Sequence, residues 1–306
     1  MSAGMKDEDI TSEHTCARIE SLLGEIEGLR LEMGRNRDAR VPMHARDASP
    51  REVFYHAQTI HRKANQLCVE LGAPSVDPPS AAVPGRARPA DVLRVLDSTG
   101  ARLAQARAQL RIEGDSPPRA PSSGAPERAI GKTASDVLEG CLVASRQLNV
   151  MLQHAFTSRE GYGRLTRALA VTERLLAAHG AALPPMPPQE RRKFPRDVFE
   201  VLWRCCETLH LILTDSGLHA LDLTRGYVGE EPGDVYDIAS LIVSELEFVA
   251  SYLPEKESVV APVAPPAPTL PSHNYRLARQ LETAFATLSA AVRKRPDWLP
   301  NARSAS

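Results

Sequence analysis

Proline placement divides this chain into long stretches that can be helical and short ones that cannot. There are 25 prolines in 306 residues, and most crowd into 74–89, 117–126, 184–195 and 254–271. Proline lacks the backbone N–H and its ring clashes with the preceding turn, so it is excluded from helix interiors. Between the clusters run long proline-free stretches of helix-like apolar periodicity. No alternating Val/Ile/Thr/aromatic run exceeds a few residues, so strand signals are nearly absent. The expected class is all-α, with about eight helices joined by proline-rich connections.

A recurring start signal stands at the head of most of these stretches. Pro50-Arg51-Glu52-Val53-Phe54 returns as Pro89-Ala90-Asp91-Val92-Leu93, Pro195-Arg196-Asp197-Val198-Phe199 and Pro232-Gly233-Asp234-Val235-Tyr236. Diverged copies read Ala134-Ser135-Asp136-Val137-Leu138 and Ser158-Arg159-Glu160-Gly161-Tyr162. Proline is favoured at the first helical position, where its missing donor would be orphaned anyway. The acid two residues later then falls at N3, within reach of the cap residue's backbone N–H and of the positive end of the helix dipole. Ser49, Thr133 and Thr157 complete capping boxes ahead of three copies. The copies are unevenly spaced, which describes a repeated helix rather than a solenoid of fixed period.

Apolar seams support the helices. Val53, Ala57, Ile60, Ala64, Leu67 and Leu71 follow 3–4 spacing, as do Val198, Leu202, Cys205, Leu209 and Ile212, and Val235, Ile238, Ile242, Leu246, Val249 and Leu253. One seam per helix is the mark of bundle helices. An earlier helix spans about 11–34; its Gly24 and Gly28 each cost about 1 kcal/mol against alanine unless a neighbour crosses closely. A last helix begins near Ser272.

Connection lengths suggest two helical bundles. Residues 133–254 hold four helices, two of them separated only by Phe156 and Thr157, which predicts a tight hairpin within an antiparallel four-helix bundle. Residues 11–114 supply three more, to be completed by 272–295 after the Pro/Ala-rich linker 255–271. Segment 115–132 reads as a flexible linker. The alternative is one curved stack of helix pairs.

Charge and cysteine usage narrow the classes of function. With 37 basic and 38 acidic residues, the balance argues against a nucleic-acid or polybasic membrane partner. No run approaches the ~18 apolar residues of a membrane span, so no membrane insertion is expected. The first ten residues show no secretory h-region. The five cysteines, Cys16, Cys68, Cys141, Cys205 and Cys206, have no CxxC spacing and read as reduced core residues. These features lead to a cytoplasmic expectation, with a periplasmic alternative if a leader has been removed.

Motifs for chemistry are sparse. Gly131-Lys132-Thr133 lacks the upstream glycine of a phosphate loop, where Pro126 stands instead. Cys206, Glu207 and His210 are weak candidates for a metal site, because Cys206 and His210 share a helix face; a di-iron site would need a second Glu-x-x-His, which is missing. The bland reading is a core cysteine and a partly exposed histidine. Adjacent Cys205 and Cys206 form a redox site only with exposure and a lowered pKa. His56 and His61, about 140° apart around one helix, read as two surface histidines. The repeated acids Glu52, Asp91, Asp136, Glu160, Asp197 and Asp234 read as caps, and no catalytic residue or cofactor is implied.

The resulting expectation is a non-enzymatic helical scaffold or adaptor mediating protein–protein interaction. The alternative is a small-molecule-sensing bundle whose site is lined by Tyr162, Tyr227, Tyr236, Trp203 and His210. A metal or redox enzyme built on Cys206, Glu207 and His210 stands behind both.

Overall fold

The computed structural model describes residues 7–41, 43–80, 86–110, 130–152, 156–226, 229–254 and 264–299. Eight α-helices fall within them: α1 (Ser12–Glu32), α2 (Pro50–Glu70), α3 (Pro89–Leu110), α4 (Ala134–Met151), α5 (Ser158–Ala178), α6 (Pro195–Asp215), α7 (Pro232–Ala250) and α8 (Pro271–Lys294). Other regular structure among the described residues is limited to a 3-10 turn at Asp7–Asp9 and two three-residue strands, β1 (His44–Arg46) and β2 (Asp222–Thr224). The all-α class and the bundled helices follow the expectation.

All six copies of the start signal open a helix, and in each the acid accepts the cap residue's backbone N–H. The distances are 2.7 Å from Ser49 to Glu52, 2.8 Å from Arg88 to Asp91 and 2.8 Å from Thr133 to Asp136. They are 2.8 Å from Thr157 to Glu160, 2.8 Å from Phe194 to Asp197 and 3.0 Å from Glu231 to Asp234. In α1 and α8 a histidine takes the acid's place. Nδ1 of His14 accepts from Thr11 N–H at 3.2 Å, and Nδ1 of His273 accepts from Leu270 N–H at 3.0 Å.

The chain divides into two compact units, Met1–Ala155 and Phe156–Ser306. In the first, α1 and α2 each pack against both α3 and α4; in the second, α5 and α6 each pack against both α7 and α8. Each unit is thus a ring of four helices, and the cross-helix contacts join equivalent turns. Arg18 near the start of α1 meets Asp97 near the start of α3, and Arg107 at the end of α3 meets Glu32 at the end of α1. Lys193 just ahead of α6, and Arg204 and Asp215 along it, meet Ser272, Glu282 and Arg293 along α8 in the same order. Ser135 at the start of α4 meets Ala48 ahead of α2, and Arg164 in α5 meets Tyr236 early in α7. The helices of each ring therefore run parallel, not antiparallel.

A parallel ring requires the chain to travel back the length of a helix before each new one. A 21-residue helix is about 31 Å long, and the connections 33–49, 71–88, 179–194 and 216–231 hold 16 to 18 residues each. Extended backbone without partners of its own must find them elsewhere, and helix side chains supply them. Along α4, Gln147 donates to the Asp38 carbonyl at 2.9 Å and Arg146 to those of Arg40 and Val41. Along α8, Gln280 donates to Pro184 O at 2.7 Å and Arg276 to Pro187 O at 2.6 Å. Along α2, Gln58 reaches Pro79 O, and Asn65 holds both Ser75 and Val76.

This arrangement corrects the expected division of the chain. Residues 133–254 do not form one bundle: α4 packs on α1 and α2, while α5 begins the second unit. Nor does 272–295 complete the first unit, because α8 packs on α5 and α6. The short step through Phe156 and Thr157 falls at the boundary between the two units. The linker expectations for 115–132 and 255–271 fall largely outside the described residues, which resume at 130 and 264. The seams are buried as expected apart from Leu71 and Leu253, which are half-buried, while α2 is buried on more than one side and α7 round most of its circumference, from Gly233 to Leu246.

Candidate functional site

One face of α6 presents Trp203, Cys206, Glu207, His210 and Leu211 at helical spacing. The connection that follows turns back along the same helix and sets Leu221, Asp222 and Leu223 opposite them. Between these two walls lies an open cleft of about 250 Å³. A small space of about 20 Å³, bordered by Leu209, Leu213, Leu241, Ile242 and Glu245, lies toward α7.

Polar contacts fix the walls. His210 Nδ1 stands 3.1 Å from the Leu221 carbonyl, so an Nδ1–H there ties the returning chain to the helix. Trp203 donates its indole N–H to Glu207 Oε1 at 2.9 Å, and its ring stacks on Phe199 at 6.3 Å. The Arg225 guanidinium lies 5.7 Å from the Trp203 ring and pairs with Glu200. Leu211 is 48 % exposed. Asp222 is half-buried, and its carboxylate has no hydrogen bond or ion pair among the described residues.

The metal and redox candidates meet at this cleft without forming a centre. Cys206, Glu207 and His210 all line it, but Glu207 is engaged by Trp203 and His210 Nδ1 by Leu221. Among the described residues no three His, Cys, Asp or Glu side chains converge as metal ligands. All five cysteines are free thiols. Burial, reinforced by Glu245 and Glu207, pushes the Cys206 thiol well above its ordinary range, and burial does the same to Cys205. A thiol held protonated is a poor nucleophile and a poor redox sensor.

Of the residues expected to line a ligand site, Trp203 and His210 do share the cleft, whereas Tyr162 and Tyr236 are not among its lining residues. Tyr236 packs edge-on against Phe156 at 4.6 Å, and its hydroxyl accepts from Arg164 at 2.8 Å. Tyr227 lies outside the described residues.

In the first unit, His56 and His61 are not on the surface: both are fully buried. His61 Nε2 meets Ser98 Oγ at 2.9 Å, and burial, aided by Arg102 and Arg62, pushes its pKa down to about 4. Lys63 donates from Nζ to Ser145 Oγ at 2.5 Å. A serine–lysine pair of this kind suits nucleophilic chemistry only where substrate can enter, and here both residues are fully buried. The pair ties α2 to α4. Gly131-Lys132-Thr133 is a helix entry: Thr133 caps α4 and Lys132 pairs with Asp136.

Sequence reasoning singled out the α6 wall of the cleft, apart from Leu211, and missed the Leu221–Leu223 wall. An irregular connection carries no periodicity, so only its length and the isolated Leu221-x-Leu223 alternation hinted that it returns along the helix. Comparison of the chain with models of protein families, with curated proteins and with solved structures finds no match.

Proposed function

We propose that the chain is a non-enzymatic helical scaffold that binds another protein through the cleft on α6. The observation that carries this reading is the form of the cleft: open, walled by Trp203, Leu211, Leu221 and Leu223, and about 250 Å³ in volume. That lies below the ~300–1,000 Å³ typical of small-molecule sites, and it suits a side chain or two of a docked partner. The titratable groups considered for chemistry support a binding role. The start-signal acids serve as caps, the thiols are held protonated and the serine–lysine pair is sealed. No described helix is long and apolar enough to cross a membrane.

A photo-crosslinking amino acid in place of Leu211, expressed in the source cells, tests this reading. It should capture a discrete protein, whereas the same group in place of Leu31, 63 % exposed on α1, should not. Absence of any protein adduct above the Leu31 control overturns the proposal. A small-molecule role is the second reading, favoured by the single fact that Trp203 and His210 share the cleft. An adduct of a few hundred daltons in place of a protein band would establish it.

A further inference from the structure

We infer that the α6 cleft takes an extended, proline-containing peptide segment bearing a basic side chain; this rests on the scaffold reading and names the chemistry of its partner. Charge is the first argument. Glu207 and Asp222 line the cleft, and no lysine or arginine is among its lining residues. Glu207 gives one oxygen to Trp203, and the Asp222 carboxylate has no partner among the described residues. A half-buried carboxylate beside apolar walls interacts with an incoming cation far more strongly than one in open water. Both carboxylates are acceptors, which the N–H groups of a guanidinium or ammonium satisfy.

The second argument comes from how the rings treat their own connections. The helices α2 and α6 hold equivalent places, each packed against the third and fourth helix of its ring. The connection returning along α2 carries Pro74, Pro78 and Pro79, and it is held by Arg102 on Pro74 O at 2.7 Å and by Gln58 on Pro79 O. The connection along α8 carries Pro184, Pro185, Pro187 and Pro188 and is held in the same manner. The connection along α6, 216–231, has no proline at all. Where Gln58 and Asn65 on the equivalent face of α2 hold a proline-bearing connection, the groove of α6 opens beside the Trp203 indole. A polyproline-type segment fits such a place because it is already extended and needs no sheet edge to pair with.

The test is fluorescence anisotropy with the full chain and a labelled twelve-residue peptide of alanine and proline carrying one central arginine. Saturable binding is expected, weakened about tenfold when the arginine becomes glutamate and about fivefold when the prolines become glycine. Asp222→Asn, which removes no described contact, should weaken binding about fivefold with an unchanged melting curve. Leu211→Glu, at an exposed position, should weaken it with the fold intact. Equal affinity for the arginine and glutamate peptides, or for the proline and glycine peptides, overturns the inference. So does no binding up to about 1 mM. If the peptide fails while the crosslinker at Leu211 still captures a protein, the partner chemistry is wrong and the scaffold stands; if both fail, both readings fall.

Discussion

The His61 imidazole is fully buried on α2, with Nε2 against Ser98 Oγ and no hydrogen-bond partner for Nδ1. Its pKa of about 4, depressed from 6.5 by burial, means that the unfolded chain takes up the proton first. The stability it contributes is complete above pH 6.5 and is lost as pH falls toward 4. Glu247 on α7 has the opposite sign. Burial pushes its carboxyl from 4.5 up to about 7, against the pull of Arg167 at 2.8 Å. Arg167 is 56 % exposed, so water screens that pull and burial governs. Here the folded ring binds the proton more tightly, so stability is greatest below pH 4.5 and falls as pH rises to 7. Each effect is of the order of 1–3 kcal/mol. Both tryptophans, Trp203 and Trp298, belong to the second unit, so tryptophan fluorescence during urea unfolding reports that ring. Between pH 5 and 7 its midpoint should fall relative to that of Glu247→Gln, the difference isolating Glu247 from His179, whose depressed pKa acts in the opposite sense in the same ring. Hydrogen exchange of α2 amides should show the first ring gaining protection from pH 4.5 to 6.5, a gain that His61→Asn removes. Sequence placed His56 and His61 on the surface because 140° separates them around the helix, a sound inference only for a helix with a single buried face. Most of α2 is buried, on more than one side.

At the scale of the element, Gly140 on α4 faces Ile19 of α1 closely. A Cβ there would stand 3.0 Å and 3.1 Å from Cγ1 and Cγ2 of Ile19, a stiff side chain that is itself buried. Gly140→Ala should therefore cost about 1–3 kcal/mol. Gly24 on α1 has no atom within 4 Å of such a Cβ, so Gly24→Ala should stabilise by about 0.5–1 kcal/mol through helix propensity. Urea titrations of the two variants give the comparison, and equal changes would deny the close crossing. Gly28, four residues on, faces the Arg107 guanidinium from α3, so of the two glycines noticed in sequence only this one meets a neighbour. Removing a start-signal acid, as in Asp197→Ala, should cost about 1 kcal/mol. Those starts were legible because proline, acid and cap interact within four residues, and the chemistry is complete before tertiary structure forms. Helix direction was not, because it depends on where the chain goes next. Helix–helix connections in ordinary bundles take 2–8 residues, and the 16 to 18 residues found here were the available signal that each helix restarts from the same end. The α6 half of the cleft shared that legibility, while Asp222 and its neighbours, on a returning connection, did not.

For the whole molecule, the decisive question is which helices need one another. The α4 residues Val137, Leu138, Cys141, Leu142 and Leu148 are buried in a helix whose neighbours in its ring are α1 and α2. The faces of α5 and α6 that meet α8 bury Leu277, Leu281, Phe285 and Leu288 of that helix. A fragment spanning 133–254 would contain four consecutive helices and still expose both sets, each large side chain giving up about 1.5–3 kcal/mol of burial. A fragment spanning 156–299 keeps its ring closed, including Trp298, whose indole N–H donates to Ser216 Oγ at 3.0 Å. The prediction is that 156–299 unfolds in one cooperative transition followed by tryptophan fluorescence, and binds the arginine peptide if the cleft is the site. The 133–254 fragment should unfold without a cooperative transition and bind a hydrophobic dye. The reverse result would mean that α4 and α8 have been assigned to the wrong rings, and that the antiparallel bundle expected from consecutive helices is the true folding unit.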